Sequence, residues 1–380
     1  MYSEKPQHYY LQNIIPSRIT YARELRGYTK KELAEKINKT PSAITQYEIG
    51  KSNLSLDTFL SISQALSFPL SFFATENHNP VGSFSQCHFR ANKKVPQSER
   101  IKALAYAKLV FSIFSFLESK GIKFPEQVFS ALDDCNAYDK QVENLTASIR
   151  NQFGLSQNPI PNMAQFLESL GIKIILLPPQ EIKLDAFATW LDGTPCVMID
   201  SNSKASRMQF DYAHELAHLI LDENNSPNDV LNERRANRFA SAFLMPAETF
   251  SVYCPHRYNQ QYFCSIKEHW RVSIAAALYR ARELGIFSEA SFKTAQIIRA
   301  KAGKRIEEEN EFEKALPTLL NQAFKLIQDE IKLDEIANEL GLYVSELRKI
   351  LELQQVSPDI LNAMMPAKKA AIFDFSVYKK

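Results

Sequence analysis

No apolar run in this sequence approaches the roughly 20 residues that a helix needs to cross a bilayer, so a helical membrane protein is excluded. The first residues, MYSEKPQHYYLQN, lack the apolar core of a secretory signal. Cysteine is sparse and unpaired: Cys87, Cys135, Cys196, Cys254 and Cys264 show no C-x-x-C spacing. An odd, scattered set argues against a disulfide framework and for a reducing cytoplasm. Glycine is scarce, at 10 of 380 residues, and hydrophobic residues make up 45%. That balance fits a folded, mostly helical chain, long enough for about two or three domains. No repeat with a period of about 20–50 residues and no low-complexity tract is present, which excludes a solenoid.

The net charge is only +2, but it is unevenly spread. Residues 1–123 carry 17 Lys/Arg against 9 Asp/Glu, and the remainder carries 28 against 34. A basic front third and a neutral-to-acidic body suggest an anionic partner, such as nucleic acid, for the front.

Helical periodicity divides residues 12–75 into short helices. Ile19, Ala22 and Leu25 mark the first. Thr29 caps KKELAEKIN, and Thr40-Pro41 opens TPSAITQYEIG, which Gly50 ends. The arrangement is a helix-turn-helix: a scaffold helix (30–37), the turn NKT, and a second helix (41–48). Pro41, Ser42, Thr45 and Gln46 stay on the exposed N-terminal face of that second helix. Short polar side chains there reach base edges in a major groove, and glutamine pairs in bidentate fashion with adenine. Thr40, Lys30, Lys31 and Lys51 are placed for phosphates. The stretch LRGYTKKELAEKINKTPSAITQYEIGKSNLS closely resembles the XRE/Cro-C1 helix-turn-helix of phage repressors. That resemblance implies binding to a double-stranded operator, and units of this kind act as dimers on paired half-sites.

Residues 76–138 read as a linker followed by a long amphipathic helix, Gln97 to Lys120. Residues 139–300 form a second domain. Helical pattern over 139–172 gives way to three strands, 172–178, 185–192 and 194–201, with DGTP a hairpin signal between the last two. Helices are expected again at about 204–221, 230–243 and 265–284. The charged stretch RIEEENEFEK (305–314) reads as surface, and residues 315–380 as a helical C-terminal domain.

The chemistry-bearing motif is HELAHLIL, His214 to Leu221. Residues four apart share a helix face, so His214 and His218 point the same way. They edge an apolar sector of Phe210, Ala213, Leu216, Ala217, Ile220 and Leu221, with Asp211, Glu215 and Asp222 beyond. A catalytic zinc takes three protein ligands and keeps one position open. The third ligand is sought on NERRANRFASAFLMP, where Glu233 is the one acid on a small, apolar stripe with Ala236, Asn237, Ala240, Phe243 and Leu244. Arg234, Arg235 and Arg238 fall on the opposite side. Asp222 and Asp229 are the competing third ligands. Asn237, one turn after Glu233, is a candidate to orient a ligating histidine. Tyr253, His256 and Tyr258 are candidate oxyanion donors, none of them assigned.

HELAH and ERRANRFASAFLMP resemble the ImmA/IrrE family of metallopeptidases, and DAFATW and SIKEHWRVSIAAALYRARELGIFS fit its longer fused members. The sequence departs from the family habit at Ala217 (often Gly), Asp222 (often His) and Arg235 (often an acid), none of them a ligand position. The resemblance implies a zincin-like fold, Zn2+ on His214, His218 and Glu233, and Glu215 as general base. The expected whole is mainly α with a small β-sheet (α+β): a DNA-binding regulator with a zinc endopeptidase domain that cleaves a repressor or similar protein. The alternative is a non-catalytic repressor or antitoxin that uses the zinc domain for sensing, or for binding a toxin or another partner.

Overall fold

A computed structural model describes residues 6–75, 96–129, 138–221, 229–302 and 311–365. Six helices open the described chain: α1 (Gln7–Gln12), α2 (Pro16–Leu25), α3 (Lys30–Lys36), α4 (Pro41–Glu48), α5 (Leu56–Leu66) and α6 (Leu70–Ala74). Local chemistry accounts for the starts of the scaffold and reading helices. Thr29 and Glu32 form a reciprocal capping box on α3, with Thr29 N–H donating to Glu32 at 2.7 Å and Glu32 N–H to Thr29 at 3.2 Å. Thr40 accepts from the Ala43 amide and Pro41 occupies the first turn of α4. Ile19, Ala22, Leu25, Leu33, Ala34, Ile44, Phe59, Ile62 and Leu66 are buried between these helices. Inside them Glu48 takes two of the three Arg23 nitrogens, at 2.6 and 3.2 Å, and the third donates to the Tyr28 carbonyl.

The long helix α7 (Gln97–Ser119) forms where expected, but it is not two-sided as an amphipathic helix would be. Ala103, Leu104, Ala105 and Ala107, then Leu109 through Phe114, Phe116 and Leu117 are all buried, so the helix is enclosed on several sides. It packs on α2 of the front unit and on the sheet, and the core it fills is shared by both.

After α8 (Tyr138–Gln152) and α9 (Met163–Ser169) come β1 (Lys173–Leu177), β2 (Ala186–Leu191) and β3 (Thr194–Asp200). The sheet order is β1-β3-β2, with β1 parallel and β2 antiparallel to β3. Asp192 (φ 47°) and Gly193 (φ 74°) make the tight β2–β3 turn, both with the positive φ that a two-residue hairpin of this twist requires. The strands are buried on both faces. Ile175, Leu177, Phe187, Leu191, Cys196 and Met198 join the front unit's core, while Ile174, Leu176, Ala186, Ala188, Val197 and Ile199 pack on the opposite side. Strand alternation thus feeds two separate cores from one sheet.

The second core is built by α10 (Ala205–Ile220), α11 (Asp229–Leu244), α12 (Ala247–Tyr253), α13 (Gln260–Trp270), α14 (Ile274–Glu283) and α15 (Glu289–Ala302). The expected single helix over 265–284 is two. Arg271 turns left-handed at φ 54°, and Ser273 caps the next helix by accepting from Ala276 N–H. Two arginines lie inside this half, each 1% exposed. Arg150 donates to the carbonyls of Ser156, Phe243, Leu155 and Asn158, and Arg280 to the Met245 carbonyl and to both Glu143 oxygens. Each thus exchanges its lost hydration for charge-assisted hydrogen bonds.

The tail forms α16 (Leu319–Ile327), α17 (Leu333–Leu340), α18 (Val344–Leu353) and α19 (Pro358–Ala363). It is joined to the first core rather than standing apart. Gly341 lies so close to α6 that a Cβ there would come within 2.7 Å of the Phe72 Cα. Arg26 meets Glu346 at 2.8 Å, and the Gln354 side chain pairs with both the N–H (2.9 Å) and the C=O (2.8 Å) of Leu176, closing the free edge of β1 at that residue.

The charged stretch at 305–314 is more than surface where it is described. Glu311 accepts from the Ser206 amide at the start of α10 (2.6 Å) and from the fully buried Lys267 (2.9 Å). Burial pushes the Glu311 carboxyl up, but the bonds from Lys267 and Ser206 outweigh it and leave it below the usual carboxylate range. A carboxylate depressed on folding stabilises fully above its unfolded pKa, near 4.3, and loses that contribution as pH falls through the lower folded value. Glu311→Gln is expected to cost about 2 kcal/mol at neutral pH. In urea melts over a pH series, the gap to the parent protein should be constant above about pH 5 and shrink below it.

Candidate metal centre and DNA-reading surface

Helix α10 carries the motif. Its apolar sector is buried as expected at Ala213, Leu216, Ala217, Ile220 and Leu221. His214 and His218, one turn apart, emerge beside it with side chains 14% and 15% exposed. Helix α11 makes its most extensive contact with α10, through the small Ala236 and Ala240, and this brings Glu233 over the two rings. The Nε2 atoms of His214 and His218 are 3.0 Å apart, and the Glu233 oxygens lie 3.4 Å from His214 and 3.5 Å from His218. Bonds of 2.0–2.1 Å at tetrahedral angles place neighbouring ligands about 3.3 Å apart. Three donors with these spacings fit a metal site with one position left open, and two imidazoles with one carboxylate suit zinc chemically. Among the described residues this is the one group of three or more His, Cys, Asp or Glu so arranged. Burial raises the Glu233 carboxyl, but the facing His214 and His218 rings outweigh that and bring it to about 2.

Glu215 and Asp211 differ from their expected place on the polar side. Both are buried, at 5% and 7% exposed, because α11 and the sheet cover α10 more widely than a two-sided helix would need. Asp211 is held by Arg207 Nε at 2.9 and 2.8 Å, and Arg207 also reaches Asp185 at the start of β2, 3.4 Å away. Glu215 receives no hydrogen bond from a described residue. Burial raises its carboxyl above the ordinary range, His218 and His214 pull it back in part, and Asp211 and Glu233 add to the rise.

Asn237 departs from the sequence reading. It is exposed, and its amide donates to the Glu233 carbonyl of its own helix at 2.8 Å, not to a histidine nitrogen. The asparagine that α11 buries is Asn232, with neither amide atom hydrogen-bonded. Arg235, expected on the outer side with Arg234 and Arg238, is buried at 5% exposed; Arg234 faces out. The inward stripe is therefore rotated by about one position, and it centres on Asn232, Arg235, Ala236, Phe239 and Phe243. Asp222 lies outside the described residues, as does the side chain of Asp229. Tyr253 lies tilted against His269 and edges Trp270, His256 is exposed, and the Tyr258 hydroxyl bonds to Gln260. The Asp185–Arg207–Asp211 link was not singled out from sequence. Its signal was the Arg207/Asp211 pair four residues apart, one turn before His214.

In the front unit, α4 and its cap present Thr40, Pro41, Ser42 and Gln46 to solvent, with Lys31 and Lys51 also exposed. Thr45 is half-buried and returns its hydroxyl to the Pro41 carbonyl at 3.1 Å. Lys30 is partly drawn to the buried Glu48, 3.6 Å away. No helix among the described residues is long and apolar enough to cross a membrane.

Comparison with known families agrees with both ends. The helix-turn-helix family matches residues 19–73, and the IrrE N-terminal-like domain matches residues 167–282, a span that holds the whole sheet, α10, α11 and the His214–His218–Glu233 group. No curated protein matches the chain. Residues 19–73 are therefore an XRE-type helix-turn-helix domain, and residues 167–282 an ImmA/IrrE-like domain of a metallopeptidase family.

Proposed function

We propose that this protein is a DNA-binding transcription regulator whose ImmA/IrrE-like domain is a zinc-dependent endopeptidase acting on a regulatory protein such as a repressor. The observation that carries the reading is the tetrahedral-edge spacing of His214, His218 and Glu233 beside a buried carboxylate, Glu215, that no described donor engages. Zinc held by these three side chains supplies a Lewis acid and a water acidified to near-neutral pKa. Glu215 takes a proton at a carboxylate oxygen and returns it to the leaving amine. Its burial makes it a stronger base than a solvated glutamate. No described strand pairs with the outer edge of β2, so an extended peptide can add there as a further strand. The test incubates the metal-loaded protein and its Glu215→Gln variant with candidate repressors and reads products by mass spectrometry. New termini with the parent protein alone support the reading, and identical products from both overturn it.

On the DNA side, Lys31 and Lys51 act on phosphates while Ser42 and Gln46 read bases. A Lys31→Ala/Lys51→Ala variant should reduce the slope of log K against log salt by about 2, since each phosphate contact contributes about 0.9. It should weaken all sequences alike, whereas Gln46→Ala should relax preference at one base. Anisotropy titrations over a salt series separate the two effects.

A further inference from the structure

We propose that a metal ion on the His214–His218–Glu233 group stabilises the DNA-binding front unit, because the sheet and the C-terminal tail tie the two halves of the chain into one cooperative unit. The proposal rests on the metal-binding part of the reading above and adds regulation to it.

The tie begins at the sheet, which belongs to both cores. Ile175, Leu177 and Met198 are part of the core shared with the front unit, while Ile174, Leu176 and Ile199 are part of the core that holds α10 and α11. A strand gripped on both faces cannot leave one core and stay in the other. Helix α7 fastens the same sheet to the front unit. The Lys173 ammonium of β1 lies 4.7, 5.1 and 5.5 Å from the ring centroids of Phe111, Phe114 and Phe124, and 2.6 Å from the Glu118 carboxylate. Five residues separate Asp200, the last of β3, from Ala205, the first of the metal-binding helix α10.

The tail closes the tie. Its four helices have 9, 8, 10 and 6 residues. A helix shorter than about 12–15 residues is marginal alone, so they owe their stability to what they pack on. Helix α16 receives no side-chain cap from Thr318. Glu168 of α9, 150 residues back, supplies one. Its carboxylate accepts from Thr318 N–H at 3.0 and 2.9 Å, from the Thr318 hydroxyl at 3.1 Å and from Leu319 N–H at 3.0 Å. Negative charge is also what the helix dipole favours there. Further on, Gln354 holds Leu176 of β1. Between these two points the tail grips the front unit, through Arg26–Glu346 and through Gly341 seated on α6. The tail is thus bonded to both halves.

A ligand that binds only the folded protein stabilises whatever unfolds together with its site. Metal held by α10 and α11 should therefore protect α2 and α5, which lie in the other core.

The test is native-state hydrogen exchange of the full-length protein over a urea series, read by mass spectrometry. Without metal, the slowest amides of α2, α5, α10 and α14 should share one urea dependence, the mark of a common opening. Zinc at about 100 times its measured dissociation constant should slow these amides by about 100-fold in all four helices. In a Glu168→Ala/Gln354→Ala variant the slowing should persist in α10 and α14 and fall below about tenfold in α2 and α5. If that variant does not fold, the parent protein decides alone. Zinc protection confined to α10 and α14 in the parent, or full protection of α2 and α5 in the variant, overturns the proposal. Separate urea dependences of the two halves in the metal-free parent overturn it as well. A parent protein in which zinc protects no helix, yet all four share one urea dependence, would instead refute the metal-binding reading.

Discussion

Glu215→Gln should lower kcat for peptide cleavage by about 10³-fold while the bound metal, measured by elemental analysis, stays unchanged. General acid–base catalysis contributes about 10²–10⁴, so the midpoint corresponds to about 4 kcal/mol of barrier. Glutamine keeps the shape of the side chain and removes its capacity to accept a proton. The site tolerates the change structurally, since Glu215 is 5% exposed and takes no hydrogen bond from a described residue. Removing a buried charge whose pKa is raised by desolvation should leave thermal stability equal or higher. A kcat within a few-fold of the parent value, with metal present, would remove Glu215 from the mechanism.

Glu233→Ala should weaken metal binding by at least about 100-fold, read by competition with a chromogenic chelator. Loss of groups that merely orient metal ligands costs about 10–100-fold, and a direct ligand should cost more. The variant leaves two imidazole nitrogens 3.0 Å apart with no carboxylate facing them. Two ligands cannot hold the three-ligand geometry of a catalytic site. An Asn237→Ala variant is the internal control. Its amide bonds only to the Glu233 carbonyl on its own exposed face, so metal affinity should change little. Unchanged affinity in Glu233→Ala would instead require a different third ligand.

The two ends of the molecule were readable from sequence for the same reason. A capping box, a proline at a first helical position and an Asp-Gly turn act within four residues, so α3, α4 and the β2–β3 hairpin stand where local chemistry puts them. The pairing of His214 with His218 is likewise a matter of helical pitch. Glu233 was reachable because a lone acid among small apolar residues on the next helix leaves few alternatives. The same wheel misassigned Asn237 and Arg235, since a periodic pattern fixes a helix face only to within about one residue in 3.6.

Sequence alone therefore determined where the capped helices of the front unit begin, which residues are candidates for DNA reading and metal binding, and that a hairpin precedes the helix of His214 and His218. The tertiary structure decided what those elements are packed into. Arg150 and Arg280 are buried, because carbonyls of Phe243 and Met245, 93 and 35 residues away, receive them. Helix α7 reads as amphipathic in the sequence, yet it is enclosed, because the front unit, the sheet and the tail meet around it. Gln354, just past the end of α18, closes the edge of β1, 178 residues back. In each case the deciding partner is distant in the chain, and local periodicity carries no information about partners that only folding brings near.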